Sequence, residues 1–378
     1  MFLFERLFGI GVYCFALLAV CMLISYSTIS YKALLNFYIV ILAVMAYFYE
    51  PYITADLYRI IQTMKIYASL DFSSFVHEFV VSSSSPVPRF LYWVVGRIGA
   101  YHLISVISTV ISYYLIFYII RKTAEKYSIS RQNISVALLF LMSTSIYMSV
   151  IGGVRMMIAM SMISFCFFRE SVEKKFNVFH VLLYILALFT HNMAIVIVGI
   201  RLAVLVFAPG KKLVTRFLIC LAIAVGAVVA VLNFDSLLAD IWDKASEFLF
   251  EESYSYFWEY VMGVIILIIF LGVCVKFQRL RGREHTELVT YNMGAMFSTG
   301  ISVVFFFVFS IFYRFIGHVT PILGLPMLMV TLEESEKNVS GRFKQMSFQS
   351  ITVMFSLVIL ALSISRGSLS SLKFFALG

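Results

Sequence analysis

The sequence predicts an all-α, polytopic membrane bundle of about twelve transmembrane helices. Three observations carry that expectation. Hydrophobic residues make up 62% of the 378-residue chain and charged residues 13%, with a mean hydropathy of +0.96, whereas a soluble domain is nearer half apolar and a quarter charged. The apolar runs are continuous, which suits helices, while barrel strands would alternate. Lysine and arginine collect in the short stretches between those runs. No polar stretch is long enough for a soluble domain, so residues 1–378 read as one integral membrane domain. The net charge of +9 would suggest nucleic acid in a soluble protein, but here it belongs to topology-setting loops, and no nucleic-acid partner is expected.

In order along the chain, spans are predicted at 7–24, 32–49, 101–120, 132–150, 153–168, 177–190, 193–208, 213–232, 258–276, 288–309, 316–332 and 348–365. The first lacks an A-x-A cleavage site and reads as a span, not as a signal peptide. The pair at 177–190 and 193–208 is short and split by His191-Asn192, as in a broken hairpin. No internal repeat and no matching pair of broken helices, common in transporters, is visible. Basic loops at 121–131, 169–175, 210–216, 276–283 and 337–344 fall at alternate span ends, which makes them cytoplasmic. The segments 50–100 and 233–258 then face outward. Within the first of these, 86–99 is too short to cross. It reads as an interfacial helix anchored at Trp93. The five cysteines lie in apolar runs without a CxxC pairing and read as core residues.

Against this topology the outer-half cations stand out: Arg59, Arg89, Arg155, His191, Arg314 and His318. A charge within a span costs roughly 2.5–3.5 kcal/mol and usually faces the bundle interior or a wet cavity. Arginine's planar fork of donors suits phosphate. Arg155 follows Gly152-Gly153 at a predicted helix start, where backbone N–H groups already favour an anion. The plainer reading is an arginine snorkelling to the interface. Asp56 could orient or deprotonate a sugar hydroxyl, with Tyr58 and Arg59 beside it. The alternative is a first-turn acid and an interfacial Tyr-Arg pair. His191 suits a base or a donor to a phosphate or sugar oxygen, or a plain helix-breaking turn satisfied by Asn192. Arg314 and His318 stand four apart, on one helical face. His77 and Glu78 read as solvated, and Arg201 as snorkelling toward the cytoplasmic end. HExxH, DxD, Cys/His clusters and glycine-rich phosphate loops are absent, so neither a metal nor a nucleotide sugar is expected.

The stretches ADLYR (55–59), SPVPRFLYWVVGRIG (85–99), GGVRMMIAMSMISF (152–165), EKK (173–175) and ALFTHNMAIVIV (187–198) together resemble the EpsG-like group of Wzy-type polysaccharide polymerases. Ser85 stands where that family often has a glutamate, and Thr190 separates Phe189 from His191. The resemblance covers roughly 50–200, with Tyr313-Arg314 similar to a late family arginine. It implies a glycosyltransferase class C or O-antigen-ligase type of fold in the bacterial inner membrane. It also implies transfer of a growing glycan from undecaprenyl pyrophosphate to the non-reducing end of a second lipid-linked unit, serving O-antigen, capsule or exopolysaccharide. Donor and acceptor lipids are the implied substrates, no cofactor is needed, and a chain-length regulator protein is a candidate partner. On these terms Arg155 and Arg314 would hold the donor pyrophosphate and Arg59 and Arg89 the acceptor's. Asp56 or His191 would serve the hydroxyl, and Tyr58 and His318 would contact substrate. A flippase for the same lipid, or a ligase, is the rival reading.

Overall fold

The computed structural model describes residues 2–51, 55–80, 83, 85–144, 146–207, 257–280, 286–337 and 348–365. These residues are all-helical, with no strand among them. The helices are α1 (Phe2–Tyr26), α2 (Tyr31–Tyr47), α3 (Asp56–Ala68), α4 (Phe72–Phe75), α5 (Pro86–Ile98), α6 (Leu103–Lys126), α7 (Arg131–Ser143), α8 (Ile146–Gly152) and α9 (Val154–Ser171). They continue with α10 (Val178–Leu188), α11 (Met193–Phe207), α12 (Phe257–Leu280), α13 (Thr286–Val304), α14 (Phe309–Arg314), α15 (Thr320–Leu323), α16 (Leu325–Lys337) and α17 (Phe348–Ser365). Two π-helical turns, Val76–Val80 and Phe315–Val319, interrupt the series.

Among the described residues, three helices are long and apolar enough to cross a membrane, or up to five spans if each bent pair counts as one. The predicted span 213–232 and most of the loop 233–258 lie outside the described residues, and every other predicted span falls on helix. The structure corrects two of these. The span 132–150 is bent by 55° between α7 and α8, and 316–332 falls in a pair bent by 60° between Leu323 and Leu325. Neither bend is visible in the hydropathy pattern of the sequence.

Both breaks are built by local chemistry. At the first, Thr144 is extended, and its Oγ1 donates to the Leu141 carbonyl at 2.6 Å while Ser143 Oγ donates to Leu139 at 2.7 Å. Hydroxyls thus take up carbonyls that the interrupted helix leaves open. At the second, a Cβ on Gly324 would lie 2.8 Å from the Thr320 carbonyl oxygen and closer still to the Phe270 ring, so a glycine permits the turn.

The core is a continuous apolar cluster running through α1, α2, α6, α7 and α9. α6 buries Ser105, Ser108, Thr109 and Ser112 on the stripe that continues into Tyr113, Ile116 and Phe117. Small side chains at helix contacts let backbones approach closely without a hydrophobic driving force. Tyr13 of α1 donates to the Met142 carbonyl at 2.6 Å and stacks on Tyr147, pinning α1 to the bent pair. Elsewhere Glu333 of α16 accepts from Ser130 N and from Asn133 Nδ2, at 2.8 and 3.0 Å, and so ties α16 to the start of α7.

Arg201 does not snorkel. Its guanidinium makes a forked pair with Glu170 at 2.6 and 2.7 Å, under the Tyr184 ring, with both side chains at most one-fifth exposed. Trp93 stacks on Phe75 and donates to the Leu70 carbonyl at 3.4 Å. Among the described cysteines, all are free, and Cys220 lies outside the described residues. His77 is exposed as expected.

Candidate functional site

A cavity of about 510 Å³ opens where five separate stretches meet. The first is the break between α8 and α9. Ser105 and Ser108 of α6 donate to the carbonyls of Ile151 and Val150, at 3.0 and 2.6 Å, and so close off the end of α8. Gly153 then turns the chain: its N–H reaches Ser149 O at 2.7 Å, and a Cβ there would sit 2.9 Å from the same oxygen. α9 begins at Val154, which makes Arg155 its second residue, exposed at the cavity wall. First-turn N–H groups lack intrahelical acceptors and carry the positive end of the helix dipole.

α3 supplies the second wall. Its buried residues, Leu57, Ile60, Ile61, Met64 and Tyr67, recur at helical spacing. Asp56, Arg59, Thr63 and Tyr67 line the cavity along one stripe. Asp56 is the first helical residue, after an Ala55 N-cap, and its Oδ1 accepts from Arg59 Nη2 at 2.6 Å. Its Oδ2 has no protein partner among the described residues. Both side chains are well exposed, so the ion pair contributes little to stability.

The third wall is α5, which starts with Pro86 and ends at Gly99 in the left-handed conformation, φ 77°. Pro88, Arg89 and Tyr92 line the cavity. The helix is held at both ends. Val87 N–H donates to the Phe189 carbonyl at 3.4 Å, and Arg97 donates to the Leu70 carbonyl at 2.7 Å. It crosses α3 so closely that a Cβ on Gly96 would stand 2.5 Å from the Met64 carbonyl oxygen.

The fourth wall is the turn between α10 and α11. His191 Nδ1 accepts the Met193 N–H at 3.0 Å, so the ring itself caps α11, where the sequence suggested Asn192. In the neutral imidazole this bond leaves the proton on Nε2. In that tautomer Nε2 is a donor.

The fifth wall is the end of α14 and the π turn behind it, which bring Tyr313, Arg314 and His318 to the cavity. π segments interrupt helices frequently at functional sites. His318 is buried, with Nε2 3.4 Å from Ser149 Oγ and the Tyr313 ring edge-on at 5.4 Å. That contact ties the second bent pair to the first.

All but one of the residues given a site role from sequence line this cavity. Tyr58, half-buried on α3, is not among the lining residues. Sequence reasoning gave no site role to Tyr67, Tyr92 or Tyr313. The signal was present for two of them, since Tyr92 follows Arg89 by three residues and Tyr313 precedes Arg314. Among the described residues, the wall carries four arginines and one carboxylate, Asp56. Arg89 and Arg155 both bear on the Tyr67 hydroxyl, whose pKa burial raises and they pull down. The charge of these lining residues is complementary to an anion. Among the described residues no group of three His, Cys, Asp or Glu could hold a metal ion.

The EpsG family profile matches residues 67–375. The chain belongs to the EpsG family. The match takes in Arg89, Arg155, His191, Arg314 and His318, while Asp56 and Arg59 precede it. It also runs through the C-terminal half, where the residues alone offered only Tyr313-Arg314. No curated protein and no solved structure matches the chain. EpsG membership, with the apolar helices, makes this a membrane protein of polysaccharide biosynthesis with glycan polymerase-like function, acting on lipid-linked saccharides.

Proposed function

We propose that this EpsG protein is a polysaccharide polymerase. It transfers a growing glycan from undecaprenyl pyrophosphate to the non-reducing end of a second lipid-linked unit, at the outer face of the bacterial inner membrane. The observation that carries the reading is the convergence of Arg59, Arg89, Arg155 and Arg314 on one cavity whose described lining includes one carboxylate. Two lipid pyrophosphates are the anions such a reaction must accommodate together.

In the reaction the acceptor hydroxyl attacks the anomeric carbon of the donor glycan. The bond from that carbon to the pyrophosphate oxygen breaks, and the lipid pyrophosphate leaves with the electron pair. Arg155, at the start of α9, and Arg314 meet the charge that develops on it, which is how preorganised cations speed such steps. Arg59 and Arg89 hold the acceptor's pyrophosphate. The free Oδ2 of Asp56 takes the hydroxyl proton. His191 donates from Nε2 to a phosphate or sugar oxygen.

The two bent helix pairs favour a second reading, a flippase for the same lipid-linked sugar, because broken helices are common where substrates cross. Reconstitution separates the two. The purified protein receives its lipid-linked repeat unit with no nucleotide or metal. A ladder of lengthening product is expected. Transbilayer movement of the unit without a ladder would refute the polymerase.

A further inference from the structure

Among the described residues, two polar atoms in the cavity wall are buried without a hydrogen-bond partner, Tyr92 Oη and His318 Nδ1. His318 at least engages Ser149 through its other nitrogen. Tyr92 has only the one polar atom, and the residue is 4% exposed. A buried hydroxyl left unpaired costs stability, and native structures rarely keep one without a reason. Packing does not supply that reason, because a phenylalanine would fill the same volume.

The surroundings do. Arg155, Asp56 and Tyr67 all lie near enough to act on this hydroxyl, yet none bonds to it. Burial is the largest influence on it and raises its pKa; Arg155 opposes this, while Asp56 and Tyr67 add to it. The phenol therefore stays protonated and is a donor. Beside it Arg155 offers only donors, and the phenol accepts from none of them. Two donors that do not bond to one another share a target only if that target is an acceptor. The cavity's arginine excess makes the acceptor an anion.

We infer that Tyr92 Oη donates a hydrogen bond to a phosphate oxygen of the diphosphate held by Arg155. Tyr92 is thus a ligand-binding residue, positioned by α5 opposite the start of α9. The inference rests on the reading of the cavity as a diphosphate site, but not on polymer formation.

The test is calorimetric titration of inorganic pyrophosphate into the purified full-length protein in detergent, for wild type, Tyr92→Phe and Arg155→Ala. Melting temperature and polymer ladder are followed in parallel. Tyr92→Phe is expected to weaken pyrophosphate binding about tenfold to a hundredfold, the range for a hydrogen bond to a charged group. Its melting temperature should hold or rise, since an unsatisfied hydroxyl is gone. Wild-type affinity in Tyr92→Phe overturns the assignment, whatever the ladder does. Wild-type affinity with a lost ladder would move the hydroxyl's target to a sugar oxygen. If wild type and Arg155→Ala alike bind no pyrophosphate, the diphosphate reading falls and this inference with it. A ladder from wild type that does bind pyrophosphate keeps the function standing even where Tyr92 fails.

Discussion

Gly96→Ala adds one methyl group where α5 crosses α3. The new Cβ would sit 2.5 Å from the Met64 carbonyl oxygen, against about 3.4 Å for an ordinary contact, a shortfall of about 0.9 Å. The opposing atom is backbone, so no side chain can swing away; the helices must part or slide. α3 carries Asp56 and Arg59, and α5 carries Arg89 and Tyr92, so the displacement goes directly into the cavity. A misplacement of about 1 Å can cost on the order of 100-fold in rate. Stability should move much less. Overpacking costs about 1–3 kcal/mol, and replacing a helical glycine with alanine returns roughly 0.5–1 kcal/mol. The expected outcome is a ladder rate down about a hundredfold with a melting temperature within a few degrees of wild type. The assay is initial-rate polymerisation beside a thermal melt in the same detergent. A wild-type rate in Gly96→Ala would refute the reasoning, because it would mean that the α3–α5 spacing does not set the site.

Arg155→Ala and Arg314→Ala should each lower the ladder rate by roughly 10²–10³, the usual loss for one preorganised donor, without loss of folded protein; normal polymer in either would remove that residue's pyrophosphate role. Asp56→Asn should stop transfer while pyrophosphate affinity in calorimetry holds or rises, since a carboxylate beside Arg59 is gone, and undiminished turnover would take the proton-accepting role from it. Arg201→Met should destabilise by about 3–5 kcal/mol by stranding Glu170, and adding Glu170→Met should recover most of that in a denaturation series. A double variant no more stable than the single one would show that the pair matters for more than its charge balance.

Most of the cavity wall was legible in the sequence because charge in an apolar chain is conspicuous. Arg155 after two glycines and His191 between two short apolar runs each announced a helix break. The bends at Thr144 and Gly324 were not legible. The first depends on hydroxyls bonding to local carbonyls, and the closure of α8 on Ser105 and Ser108, more than forty residues upstream. The second depends on Phe270 lying against Gly324. Arg201 was misread for the same reason, since its partner Glu170 lies on another helix. Tyr92 was lost in an aromatic run, FLYW, where nothing marks one ring as buried with its hydroxyl unpaired.

The cavity draws on stretches far apart along the chain. Arg59 and Arg89 come early, Arg155 in the middle, and Arg314 roughly 160 residues later. At a synthesis rate of about 5–20 residues per second, the last arginine trails Arg155 by roughly 8–30 seconds. During that interval the nascent chain holds three of its four cavity arginines without the helix that completes the wall. The wall is thus complete only once α14 has been made and has packed against the earlier helices.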